Sequence, residues 1–126
     1  MRLQLKSNLP FVTITVTHAG KMTKLDNILI DTGSASTILA ADQLIKVGIE
    51  PAPNDTLHTI RGVGGTEVVF LRLVDFLEVR QKQLADFEIE VGGMDYGFDI
   101  NGILGMDFLT KSGAIINLPK MQLEFA

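Results

Sequence analysis

Ile28-Leu29-Ile30-Asp31-Thr32-Gly33-Ser34 is the stretch on which the fold turns. Three consecutive apolar residues read as a buried strand, and they end on a carboxylate at a position that hydrophobic patterning would give to Val or Leu. An acid buried there without partners would be costly. The following residues supply what it needs: a hydroxyl at Thr32, a close backbone approach at Gly33, and amide donors together with the Ser34 hydroxyl. Taken alone, the same four residues read as an ordinary Asp-Gly turn, so any further meaning depends on what surrounds them.

Upstream, Val12, Ile14 and Val16 alternate with Thr13, Thr15 and Thr17, the period-two pattern of a half-buried strand. A turn is expected at residues 18–21, and residues 25–30 form the strand that enters Asp31. Downstream, residues 40–47 carry helix formers with Leu44, Ile45 and Val47 apolar, and Gly48 stands where a left-handed cap ends a short helix. Residues 51–55 read as loop. Strands are expected over 56–60 and 67–73, separated by the glycine-rich segment 61–66, then over 73–80 and 84–91 around a turn at 81–83. Gly92-Gly93 opens another loop. Residues 100–105 form an apolar strand broken by glycine, residues 106–111 a short helix that Ser112-Gly113 ends, and 114–118 and 121–125 two last strands around Pro119-Lys120. Short strands at close spacing with little helix predict an all-β domain spanning 1–126, a closed or folded-over β barrel with one or two short helices. One echo recurs inside it: an apolar strand meets a glycine corner at residues 28–33 and again at 103–105.

A chain of 126 residues that is 46% hydrophobic and 21% charged has the size and composition of one folded domain with a real core. The net charge of -4 turns the reading away from nucleic acid and from anionic membrane surfaces. Without cysteine there are no disulfides, thiolate nucleophiles or cysteine metal sites, and His18 and His58 are too few for most metal cages. The first ten residues lack the apolar core of a secretory signal, and no later run reaches membrane-spanning length, so a soluble, cytoplasmic protein is expected.

The apolar strand into Asp31-Thr32-Gly33-Ser34, the hairpin tip Gly62-Val63-Gly64-Gly65, and the late corner Gly102-Ile103-Leu104-Gly105 before a short helix follow one another in that order. In this the sequence resembles the retroviral-type (retropepsin-like), single-lobe aspartic proteases, over residues 12–125. The resemblance implies an acid-protease fold with one lobe per chain and an aspartic endopeptidase activity. It makes Asp31 the catalytic acid, has Thr32 brace the paired loops and Gly33 let them close together, and has Ser34 hydrogen-bond the outer carboxylate oxygen. Gly62, Val63, Gly64 and Gly65 look like the mobile flap over the substrate, and Gly102, Ile103, Leu104 and Gly105 like the corner through which the chain passes before its helix. Two departures stand out: the helix over 40–47 is an addition relative to the compact viral enzymes, and Asp107 stands where they place other polar residues.

That chemistry takes two carboxylates on one water, whereas the chain has one Asp-Thr-Gly and no room for a second lobe. The expected partner is therefore a second copy, in a two-fold homodimer whose interface runs through the Asp31 loops. Residues 114–125 and the strand before Val12 are candidates for an inter-subunit sheet. The expected substrate is an extended peptide or protein with apolar residues flanking the cut, and no metal or cofactor is needed.

Other readings are weaker. Asp95, Asp99 and Asp107 lack the Gly and Glu placement of a calcium loop, and Asp107 is more simply a helix cap. Residues 62–65 lack the Lys-Ser/Thr of a phosphate loop. His18 and His58 have no nucleophile motif beside them and read as structural or surface residues. Arg61 and Arg72 read as partners of acids or as solvated. A carbohydrate- or nucleotide-binding barrel would want aromatic platforms, and the chain has one Tyr and no Trp. The reading from a different class is a catalytically silent dimerisation or peptide-binding module on the same fold, against which the intact Asp31-Thr32-Gly33-Ser34 argues.

Overall fold

The computed structural model describes residues 2–62, 65–94 and 99–126. In chain order its elements are β1 (Gln4–Lys6), β2 (Leu9–His18), β3 (Lys21–Ile30), β4 (Ile38–Ala40), α1 (Ala41–Leu44), β5 (Leu57–Gly62), β6 (Gly65–Val79), β7 (Lys82–Gly92), β8 (Gly102–Leu104), α2 (Met106–Ser112), β9 (Ala114–Asn117) and β10 (Gln122–Phe125). The strands pair in the order β1-β2-β3-β8-β4-β7-β6-β5, and β2 also pairs with β6 through Thr15–Glu78, Val16–Leu77 and Thr17–Phe76. That extra pairing closes β2, β3, β8, β4, β7 and β6 into a ring, so the sheet folds over on itself as the all-β reading expected. Strands β9 and β10 form a separate hairpin, joined to the N-terminal segment by an Arg2–Gln122 bridge and by the Leu3 amide donating to the Met121 carbonyl at 2.8 Å.

The alternation in β2 survives intact. Val12, Ile14 and Val16 are buried while the threonines between them are half-buried. They face a core with Leu25 and Ile28 of β3, Leu39, Leu44, Val74, Leu77, Ile89, Leu104, Phe108 and Leu123. Phe108 of α2 is completely buried and meets Phe87 of β7 edge to face, centroids 5.8 Å apart at 79°. A smaller apolar cluster, Ile38, Ala40, Val69, Met94, Ile100 and Ile103 with Leu29 and Ile60 packed on it, is built from the strands around Asp31 and the base of the β5–β6 hairpin.

Several boundaries differ from the sequence expectations, each for a local reason. Strand β3 starts at Lys21 rather than residue 25, because Ala19 (φ 51°) and Gly20 (φ 79°) make a two-residue turn that pairs His18 with Lys21 and extends the ladder through polar residues. Residues 67–73 and 73–80 are one continuous strand, β6. No turn residue interrupts it at Leu73, and it pairs with β5 near its start and with β7 from Phe70 to Val79. The β6–β7 turn falls on Arg80 (φ 57°) and Gln81, since Val79 pairs with Lys82. Helix α1 is shorter than the expected 40–47: Ala40 belongs to β4, and Ile45–Val47 tighten into a 3₁₀ turn that Gly48 ends in the left-handed region at φ 79°.

Candidate active site

Strand β3 lies parallel to β8, with Ile28, Leu29 and Ile30 opposite Gly102, Ile103 and Leu104. The Asp31 amide continues this ladder by donating to the Leu104 carbonyl at 3.0 Å. The chain then loops through residues 31–37 and returns as β4, antiparallel on the other side of β8. The loop thus straddles the end of β8, which explains why an apolar strand can end on an acid: Asp31 leaves the core where the strand leaves the sheet.

Within the loop, Asp31 is half-buried, and its Oδ1 accepts the Gly33 amide at 2.9 Å. A Cβ at position 33 would stand 3.1 Å from the same oxygen, so the glycine keeps this approach open. The Ser34 amide donates to the Asp31 carbonyl at 3.2 Å. Thr32 and Gly33 are exposed at the loop's apex. The Ser34 hydroxyl departs from expectation. It donates to the Ser36 carbonyl at 2.7 Å and so stiffens the loop, rather than reaching the Asp31 carboxylate.

The second glycine corner lies directly beneath. A Cβ on Gly105 would fall 2.2 Å from the Ser36 carbonyl oxygen, so only a residue without a side chain lets loop and corner touch. Gly102 is hemmed in the same way by Leu39 and the Ile38 carbonyl. Beyond the corner, the first amides of α2 point at the loop: Met106 donates to the Ser34 carbonyl at 2.8 Å and Asp107 to the Ala35 carbonyl at 3.2 Å.

Asp107 is not the helix cap expected from sequence, because the cap position is Gly105. Its carboxylate instead accepts the Thr37 hydroxyl at 2.8 Å, the Thr37 amide at 3.2 Å and the Phe108 amide at 2.7 Å. Thr37 is fully buried, and its Oγ1 also accepts the Gly105 amide at 3.1 Å. One threonine therefore joins loop, corner and helix. Sequence reasoning missed Thr37 altogether. The available signal was a β-branched hydroxyl residue just before the apolar Ile38-Leu39-Ala40, paired with an acid two residues past a glycine corner.

The β5–β6 hairpin expected to cover a substrate pairs Ile60 with Glu67, Arg61 with Thr66 and Gly62 with Gly65. Gly65 has φ 112°, a region open to glycine and strained for other residues. Val63, Gly64, Asp95 and the Arg61 side chain lie outside the described residues. Two carboxylates brace this region. Glu67 of β6 accepts the Gly93 amide at 2.7 Å and the Met94 amide at 3.3 Å. Glu90 of β7, only 6% exposed, accepts the Ser36 hydroxyl, and its second oxygen lies 3.6 Å from His58 Nδ1. His58 thus has a specific buried partner. Arg72 pairs with an acid as expected, donating to Asp55 at 2.7 Å and to the Glu50 carbonyl at 3.0 Å with its guanidinium over the Phe70 ring. The Ala52 amide and Arg72 together hold the Asp55 carboxyl below the usual carboxylate range.

Strand β3 ending on Asp31-Thr32-Gly33, the loop seated on a glycine corner and the helix that follows define an acid-protease lobe. Residues 14–108 match the aspartyl protease family, a stretch that runs from the middle of β2 into the first turn of α2 and contains β3, the Asp31 loop and the glycine corner. The chain belongs to that family, in its retropepsin-like form. No curated protein matches it.

Proposed function

We propose that the protein is an aspartic endopeptidase that works as a homodimer, each copy contributing Asp31 to one shared water. The observation that carries this reading is the half-buried Asp31 carboxylate on a loop held by β8 and α2, beside the exposed apex of Thr32 and Gly33. One chain carries one such motif, so the second carboxylate comes from a second copy across a two-fold axis.

Two carboxylates a few ångströms apart resist losing both protons, and the pair holds one proton between them as a unit. The ionised Asp31 takes a proton from the water as it attacks the peptide carbonyl. The protonated Asp31 of the other copy donates to the developing oxyanion. The newly protonated carboxyl then gives its proton to the nitrogen as the C–N bond breaks, while a hydroxyl of the tetrahedral intermediate returns a proton to the other carboxylate, so the amine leaves and the pair again holds one proton. The substrate lies as an added strand beneath the β5–β6 hairpin, whose closure excludes bulk water, with its side chains toward the apolar cluster that includes Leu29, Ile60 and Ile103.

The test is digestion of a peptide library at acidic and near-neutral pH by the wild type and Asp31→Asn, alongside a solution mass measurement. Cleavage by a dimeric wild type, lost on substitution, is the expected result. Cleavage that survives Asp31→Asn would refute the mechanism, and two inactive proteins would favour a silent peptide-binding module.

A further inference from the structure

Glu67 carries a carboxylate that the proposed reaction does not use. It stands opposite Ile60 across the β5–β6 ladder and two positions before Val69, so the three side chains share the inward face of the hairpin. Ile60 and Val69 pack into the apolar cluster around Asp31, and Glu67 extends their face toward the glycine tip. Gly92 and Gly93 make room for it: a Cβ on Gly92 would stand 3.1 Å from Oε1, and one on Gly93 3.1 Å from Oε2. The two oxygens are served unequally. Oε2 accepts both the Gly93 and the Met94 amides, whereas Oε1 is buried and, among the described residues, has no hydrogen-bond partner. Nor does any described Lys, Arg or His lie in ion-pair range of Glu67. A carboxylate oxygen unanswered in such a place is costly until a donor reaches it.

The charge around it is one-sided as well. Residues 26–38, 57–69 and 88–108 carry the Asp31 loop, the hairpin and the strands beneath it. They hold eight of the chain's fifteen acidic residues and, of its eleven Lys and Arg, Arg61 alone. A cleft between segments of one sign draws in ligands of the other. We infer that Glu67 is a specificity-determining residue that receives a basic side chain, Lys or Arg, of the peptide substrate, set a short way from the bond that is cut. The apolar cluster takes the residues flanking the cut, and Glu67, at its margin toward the tip, takes the cation. Its Oε1 is covered where the hairpin rests on residues 92–94, and the lifting of the hairpin that admits a substrate uncovers it. An ammonium or guanidinium answers both the unpartnered oxygen and the unpaired charge, whereas a neutral donor answers only the first. Closure of the hairpin then strengthens the pair by excluding water from it.

The inference rests on the proteolytic reading for the lifting of the hairpin, and its test tells the two apart. Extended peptides with an apolar pair at the centre carry Lys, Gln or Glu in turn at each outer position, and kcat/KM is measured at near-neutral pH for the wild type and Glu67→Gln. The variant keeps an oxygen for the Gly93 and Met94 amides while losing the charge. At one position the wild type is expected to prefer Lys to Gln by about tenfold, the low end for a hydrogen bond to a charged group, with Glu poorer than Gln. Added salt is expected to shrink the preference. In Glu67→Gln the Lys-to-Gln ratio is expected to fall to about one, whereas a purely structural defect would lower both peptides together and leave the ratio as it was. A wild type that cleaves without the preference, or a variant that keeps it, overturns the inference and leaves the proteolytic reading standing. Where nothing is cleaved, the same peptides bearing a fluorophore are titrated into both proteins and binding is read by anisotropy. A Lys preference in binding that Glu67→Gln loses supports the site and removes the proteolytic reading, and the lack of any such preference overturns the inference.

Discussion

The α-carbon of Gly105 lies so close under Ser36 that a single added carbon would come within 2.2 Å of the Ser36 carbonyl oxygen. The obstacle is backbone, which cannot rotate aside as a flexible side chain would. Gly105→Ala is therefore expected to push the Asp31 loop off its seat and to destabilise the fold by about 1–3 kcal/mol or more, the range for overpacking. Urea unfolding checks this, and a midpoint within error of the wild type would contradict the tight seat.

The Thr37–Asp107 contact predicts a graded series. Asp107→Ala leaves the buried Thr37 hydroxyl and amide without their acceptor and is expected to cost about 1–3 kcal/mol. Asp107→Asn keeps one oxygen to accept but turns an amide toward the Thr37 N–H, so a smaller loss is expected. Thr37→Val preserves shape yet strips the Gly105 amide of its acceptor, and should resemble Asp107→Ala more than Asp107→Asn. Unfolding free energies of the three variants give the order directly.

Phe108 is fully buried against Phe87 where α2 meets the core. Phe108→Ala is expected to lose about 3–5 kcal/mol, combining lost burial with an unfilled cavity. Because α2 also holds the Asp31 loop through the Met106 and Asp107 amides, exchange of the Leu39 and Ala40 amides should rise with it. Thermal unfolding and hydrogen exchange measure the two effects.

Asp55 offers a pH prediction with a definite sign. Its carboxyl is held below the ordinary range by the Ala52 amide and Arg72, so the folded state favours the ionised form. The stabilisation is full above the unfolded-state value of about 3.9 and is lost as pH falls through the lower folded value. Asp55→Asn should therefore show a shallower loss of stability than the wild type below about pH 4. Denaturant midpoints measured across the acid range would contradict this if the two curves ran parallel.

How much of this was legible beforehand differs from one element to the next. Strand β2 was readable because alternating Val-Thr-Ile-Thr-Val needs only one buried face, and local periodicity reports that directly. The Asp31 loop was readable because an acid after three apolar residues violates that periodicity and the next residues repair the violation. The single length of β6 was not, because whether a strand continues past Leu73 depends on partners in β5, β7 and β2 that lie far away along the chain. The roles of Thr37, Asp107 and Glu90 were hidden for the same reason: a threonine before a strand or a glutamate within one takes its meaning from what the fold sets beside it.

Local order in the polypeptide thus determined a β-rich chain, an acid delivered by an apolar strand and glycine corners at two places, since these follow from side-chain chemistry and backbone freedom over a few neighbouring residues. Only the tertiary structure decided that Gly105 seats the loop, that the Ser34 hydroxyl turns to Ser36 instead of Asp31, and that Glu90 faces both Ser36 and His58. Those relations join residues up to 71 positions apart, the separation of Ser34 from Gly105, and such contacts are set by how strands pair and pack rather than by the order in which residues follow one another.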